Sequence, residues 1–428
     1  MRNKLPVLIA GVLLLMKCVA PGTRRNLDAK LQALLHQKEF FKLETQLNAG
    51  KDILDAGQQL YFRAFIDNAF NRNEASVTAI DTLLNQYASQ FNEAAKAALL
   101  QSQEDAYFKL FEYAKAAEID SMLLSGYSKG LDSEKIHDIQ NTLLVRKALR
   151  NTPPQRTFIT NNTNIRWTRD GIGLVEIPVK HDTSTYSCIF DTRANISSIT
   201  ETYAARLGLQ MLPVSYKQSS GATGITFKTG LGIADSLYIG NILVRHVVFQ
   251  VMPDSVLYLA QLNMSLNIII GFPVIAQLKE VHILKDGWMI IPLFETASDL
   301  HNFALNGPNP VISLLTGGDT LCFNFDLGAT TTDLYEAYFE RYKPRIVKEG
   351  HKKTIQYGGA GGIQKKEVYV IPSLELMIGH KKVILDSVDV LTQKIFPEEK
   401  LYGNIGNDFA SQFNELILNF DKMYIKGN

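Results

Sequence analysis

The sequence predicts a multidomain α and β protein, an N-terminal α-helical module followed by two similar β-rich lobes. Three observations predict it. Residues 26–150 carry apolar side chains at three- and four-residue steps. Beyond the paired Pro153-Pro154 the texture changes to short segments rich in Val, Ile, Tyr and Phe, punctuated by glycine. Within that second part, Phe190-Asp191-Thr192-Arg193-Ala194-Asn195 returns, altered, as Phe325-Asp326-Leu327-Gly328-Ala329-Thr330.

The chain has 428 residues and is 46% hydrophobic, which allows two or three cores. Lys and Arg number 44 against 43 Asp and Glu. With that balance no global field draws the protein to nucleic acid. Residues 1–20 have the pattern of an export signal: Arg2 and Lys4, an apolar run from Val7 to Met16, then Cys18 and Ala20. The run is too short to span a bilayer. Cys18 resembles the lipid-attachment cysteine of a bacterial lipoprotein, although Lys17 precedes it where that motif has a small residue. A plain secretory signal and a membrane-tethered N-terminus are the alternatives. Each places the rest of the chain outside the cytoplasm, in the periplasm or cell envelope, with membrane anchoring possible through the N-terminus. Cys188 and Cys322 stand three and four residues before their aspartates, so strand parity turns them to opposite faces. Two buried thiols are expected, not a bridge.

In the helical module, Ile80-Asp81-Thr82-Leu83 is echoed by Ile119-Asp120-Ser121-Met122, which predicts paired helical hairpins. The pattern resembles a tetratricopeptide-type array with a longer period, and a plain bundle is the alternative. A protein partner is the expected use of such a surface. Residues 151–171 are expected to be a linker, 172–293 the first lobe and 309–426 the second. Strands are expected at Gly173 to Val179, Tyr186 to Phe190, Leu237 to Ile239 and Val244 to Val251. A helix from Glu201 to Leu207 follows the cap Thr200 and ends at Gly208. The second lobe repeats the order with Leu321 to Phe325, a helix near Asp333 to Arg341, and strands at Val368 to Ile371 and Val383 to Val390.

The repeated phrase carries the chemistry. Each aspartate is followed, at one and the same distance along the chain, by a glycine, Gly271 after Asp191 and Gly406 after Asp326. Each glycine stands behind an apolar residue, Ile270 or Ile405. Glycine-rich turns lie between: Gly221, Ala222, Thr223 and Gly224 in one lobe, Tyr357, Gly358 and Gly359 in the other. Together these features resemble the aspartic peptidases of the retropepsin and pepsin type, in a two-lobed, exported bacterial form. That resemblance covers the chain from the linker to the C-terminus, leaves the helical module aside, and implies an aspartic-peptidase (acid protease) fold. It implies that Asp191 and Asp326 form a dyad that activates water against a peptide bond, without metal or other cofactor. It also implies that the two glycine-rich turns act as flaps over an extended polypeptide. Two carboxyls at hydrogen-bond range share one proton, so one can act as base and the other as acid.

Two residues depart from the family pattern. Arg193 stands where a glycine is usual, and its guanidinium is expected to favour the ionised form of both aspartates. Leu327 replaces a Thr or Ser whose hydroxyl crosses to the other lobe, so only Thr192 keeps that bond. The alternative function is therefore a catalytically impaired, peptide-binding relative. Asp235, Asp254, Asp319, Asp333 and Asp408 are expected to serve turns and helix starts. The chain has no His-Glu-x-x-His; its one Gly-x-Ser-x-Gly, Gly126-Tyr127-Ser128-Lys129-Gly130, falls in the helical stretch with no strand before it to form a nucleophile elbow; and the glycines at 358–362 lack a following Gly-Lys-Ser/Thr. Metallopeptidase and phosphate-cradle readings lack their motifs, and the serine hydrolase reading lacks its setting.

Overall fold

A computed structural model describes residues 21–219, 226–259, 263–359, 362–395 and 399–428. Cys18, Gly221, Ala222, Thr223 and Gly224 lie outside the described residues. Helices fill the N-terminal part, from Pro21–His36 to Ser133–Leu149. Consecutive helices pack as hairpins because Asp55, Asn92 and Asp132 each accept a backbone N–H at the start of a helix and fix where it begins. Of the two echoed segments, Ile80 and Leu83 are fully enclosed and Ile119 is buried, while Met122 is exposed.

The module straddles both lobes. On one side Asn71 donates to the Phe420 carbonyl at 3.1 Å, and His301 meets Glu44 at 2.8 Å. On the other, Tyr113, Val145 and Leu149 pack against Tyr216, Leu231 and Val248 of the first lobe.

The two lobes share one pairing scheme. In the first, Ser184–Phe190 runs parallel to Ile268–Ile270, which is antiparallel to Ser197–Thr200, itself parallel to Ile242–Met252. In the second, Asp319–Phe325 runs parallel to Gly403–Ile405, antiparallel to Asp333–Leu334, itself parallel to Lys381–Leu391. The chain is a helical module followed by two similar β-rich lobes. A further sheet joins them, where Glu280–Leu284 of the first half pairs with Glu415–Asn419 of the second.

Three local expectations change. Residues 151–171 are not a bare linker: Arg156–Phe158 pairs with Ile242–Met252, and Thr163–Arg166 pairs with Trp288–Ile291 in the joining sheet. Their alternating burial shows why, since Thr163 and Ile165 turn inward while their neighbours face out. The expected helix near Asp333 begins at Glu336 and runs to Glu349, because Asp333–Leu334 is taken up as a strand. Asp333 is thus a buried strand residue, not a turn residue. The helix after Thr200 is as read, Glu201–Arg206, and Gly208 leaves it at φ +60°. Both thiols are free and buried.

Candidate active site

Each aspartate ends its strand with the same hydrogen bonds. Asp191 N–H donates to the Ile270 carbonyl at 3.0 Å, and Asp326 N–H to the Ile405 carbonyl at 2.9 Å. The segments that cross beneath are tied alike: Phe272 N–H to Ala194 O at 2.8 Å, Asn407 N–H to Ala329 O at 2.9 Å. Gly271 and Gly406 donate to the hydroxyls of Ser197 and Thr332 at 3.0 and 3.1 Å. Both must be glycine, since a Cβ would stand 2.5 Å from Ala194 O at one and 2.6 Å from Thr331 O at the other.

The aspartate turns meet at the joint between lobes. Oδ1 of Asp191 accepts the N–H groups of Arg193 and Ala194 at 2.8 and 3.1 Å, and Oδ1 of Asp326 accepts that of Gly328 at 2.8 Å. The Asp191 carboxyl reaches across to the second turn. A Cβ on Gly328 would lie 2.3 Å from its Cγ and 2.4 Å from either oxygen. Thr192 is fully buried; its hydroxyl donates to the Phe325 carbonyl at 3.1 Å and accepts the Leu327 N–H at 2.9 Å. Leu327 is buried too, and the hydroxyl bridge is one-sided as the sequence implies.

Arg193 does not turn away to solvent. Its Nη1 donates to Asn404 Oδ1 at 3.2 Å and lies 3.8 Å from Asp326 Oδ2, while Asn404 Nδ2 donates to that same oxygen at 3.2 Å. The guanidinium therefore crosses from one lobe to the other's aspartate. Sequence reasoning missed Asn404. The duplication held the signal: it occupies the place of Ile269, where a buried polar residue is out of pattern. Asn407, whose amide donates to Leu327 O and Ala329 O at 2.6 and 3.0 Å, was missed in the same way, as the counterpart of Phe272.

Electrostatics separate the carboxyls. Burial and then the charge of Asp326 raise the Asp191 carboxyl, against its two amides and the Arg193 charge. Burial also raises Asp326, but there Arg193 is the foremost opposing influence, followed by Asn404. Arg193 thus favours the ionised form of both carboxyls, as expected, and acts chiefly on Asp326. Glu399, raised by burial, also faces the guanidinium.

The other aspartates sort themselves by partner. Asp408 accepts Thr332 N–H and Oγ1 at 2.9 and 2.7 Å, Asp254 accepts Thr202 N–H at 3.0 Å, and Asp319 pairs with Arg341 at 2.7 Å. Asp235 is not a turn residue: it lies within the strand Thr226–Ile239 and faces Arg245 at 3.1 Å on the surface. The turn with Tyr357, Gly358 and Gly359 ends the strand His351–Gly359, paired in register with Gly362–Ile378.

A model of the aspartyl protease family matches residues 177–274, which include Asp191, Thr192 and Gly271. The first lobe therefore has an aspartic-peptidase-like fold, and the second repeats its topology around Asp326. Among solved structures, the chain is similar to a basic 7S globulin from soybean, with 10% identity and a TM-score of 0.40 over 62% of this chain and 94% of that one. Conglutin gamma, a basic 7S globulin from lupine seeds, gives 11% and 0.39 over the same shares. Similarity that low bears on neither activity nor ligand. No curated protein matches the chain.

Proposed function

We propose that the protein is an exported aspartic endopeptidase with Asp191 and Asp326 as its dyad. One observation carries the reading: the Asp191 carboxyl of one lobe rests on Gly328 in the turn that follows Asp326 of the other. Asp326, beside Arg193 and Asn404, is the member that keeps its charge and takes a proton from water. Asp191 is the member that keeps the proton and donates it toward the carbonyl oxygen of the substrate. Attack gives a tetrahedral diol; return of protons to the leaving nitrogen releases the two peptides. The substrate is an extended polypeptide, and the protein sits in the periplasm or cell envelope, lipid-anchored if Cys18 is modified.

A second reading has its own observation. Arg193 replaces glycine at the dyad and could hold a site that binds peptides without turnover. The two separate on a permanently unfolded protein, assayed from acid to neutral pH, with a peptide whose scissile carbonyl is replaced by a secondary alcohol as a transition-state mimic. The peptidase hydrolyses the first and binds the mimic more tightly than the parent peptide. Binding of both peptides alike with no hydrolysis establishes the binder instead.

Arg193 gives a signed expectation. Its positive charge lowers both carboxyls, so Arg193→Met raises both. The acid limb of the pH–rate profile follows ionisation of Asp326 and the alkaline limb loss of the Asp191 proton. Both limbs therefore move to higher pH, the acid limb further because Asp326 is the nearer partner. A profile that moves toward acid contradicts this assignment.

A further inference from the structure

A cavity of about 1370 Å³ lies between the helical module and both lobes. It exceeds the roughly 300–1,000 Å³ of a small-molecule pocket. Its walls include the helix Ser133–Leu149, the strand Gln210–Ser219 and the turn at Leu305, Asn306 and Gly307. Asn195, four residues past Asp191, opens onto it, while neither aspartate lines it. Lys135, Lys217 and Lys228 stand there with Asp105 and Asp138, so the wall selects no one charge.

The strand Gln210–Ser219 is the last in its sheet, an edge. Edges present unpaired main-chain donors and acceptors. At Lys217 both outward groups are occupied by one side chain: Asn141 Nδ2 donates to the Lys217 carbonyl at 2.6 Å, and Asn141 Oδ1 accepts its N–H at 3.2 Å. N–H and C=O of one residue point the same way in an antiparallel ladder. A carboxamide is the peptide group in miniature, and Asn141 makes the pair of bonds that a residue of an added strand would make.

We infer that this edge is a second polypeptide-binding groove, which takes an extended chain by strand addition along residues 216–219, past the register shift that ends at Tyr216, with Asn141 holding the place until the chain arrives. The groove takes its ligand class from the proposed peptidase reading but works apart from the dyad. One carboxamide pair on a solvated edge is weak, while an added strand repeats it at every second residue. A chain seated there lies beside Asn195. The helical module then supplies one wall of the groove, which accounts for its packing against this strand.

The test uses the full chain carrying Asp326→Asn, so that cleavage plays no part, and fluorescein-labelled, reduced and carboxymethylated lysozyme as the unfolded probe. Removing the placeholder with Asn141→Ala tightens probe binding about fivefold in anisotropy. In that variant the Lys217 amide exchanges its hydrogen faster, and saturating probe restores its protection. Asn141→Asp keeps the acceptor and loses the donor; its binding falls between the two, and it serves where the alanine variant fails to fold. Unchanged or weaker binding, or a Lys217 amide left unprotected with probe bound, overturns the groove. With Asp326 restored, failure to hydrolyse while this binding pattern holds overturns the peptidase and leaves the groove. Hydrolysis without any Asn141 dependence of binding does the reverse.

Discussion

Asp326→Asn and Asp191→Asn each lower hydrolysis of an unfolded protein by about 10²- to 10⁴-fold, the range for loss of a positioned acid or base. The fall is in kcat, because an amide fills the same volume and leaves the cleft to bind as before. Neither variant is expected to unfold. Both carboxyls are raised by burial in the folded protein, so the unfolded chain ionises first as pH rises. Their native forms therefore lose stability from the ordinary carboxylate range upward, until the folded groups ionise as well. An amide has no such loss. Each variant should thus melt at or above the wild-type temperature at neutral pH and match it in acid, in paired thermal scans. Asp326→Asn also removes the acceptor that Arg193 and Asn404 share, which makes its gain the smaller of the two. Activity that survives either substitution removes the dyad.

The lobes were legible because the duplication repeats spacing as well as residues. Matched distances from Asp191 to Gly271 and from Asp326 to Gly406 become matched strand pairings and matched hydrogen bonds. Long-range pairings of non-repeated segments were not legible. Thr163–Arg166 is too short and polar to announce a strand, and its partner Trp288–Ile291 is far away in the chain. The site was half legible. The aspartates and the single hydroxyl bridge follow from the motif, but the course of Arg193 depends on Asn404, which strand register alone brings within reach. A side chain with that many rotamers takes its direction from its partner, and the partner sat 211 residues on. The seating of the helical module on both lobes left no periodic trace, since Asn71 and Asn141 look like ordinary solvent-facing asparagines.

Gly328→Ala tests the closeness of the two turns more directly than a change to either carboxyl. The added methyl would sit 2.3 Å from Cγ of Asp191 and 2.4 Å from both its oxygens. Asp191 has nowhere to retreat. Two amides of its own turn grip one oxygen, and Thr192 beside it is locked to Phe325 and Leu327. The lobes must part on the order of 1 Å, and a misplacement of that size costs about 10²-fold in rate. Overpacking at such a joint costs about 1–3 kcal/mol of stability. The expected result is a fall of about a hundredfold in kcat/KM with a lowered melting temperature. Arg193→Ala is the matched control, because residue 193 already carries a Cβ and the change adds nothing to the joint. It should shift the pH profile and spare the fold. If Gly328→Ala keeps wild-type rate and stability, the Asp191 carboxyl does not lie against the second turn, and the two-lobed site is assembled some other way.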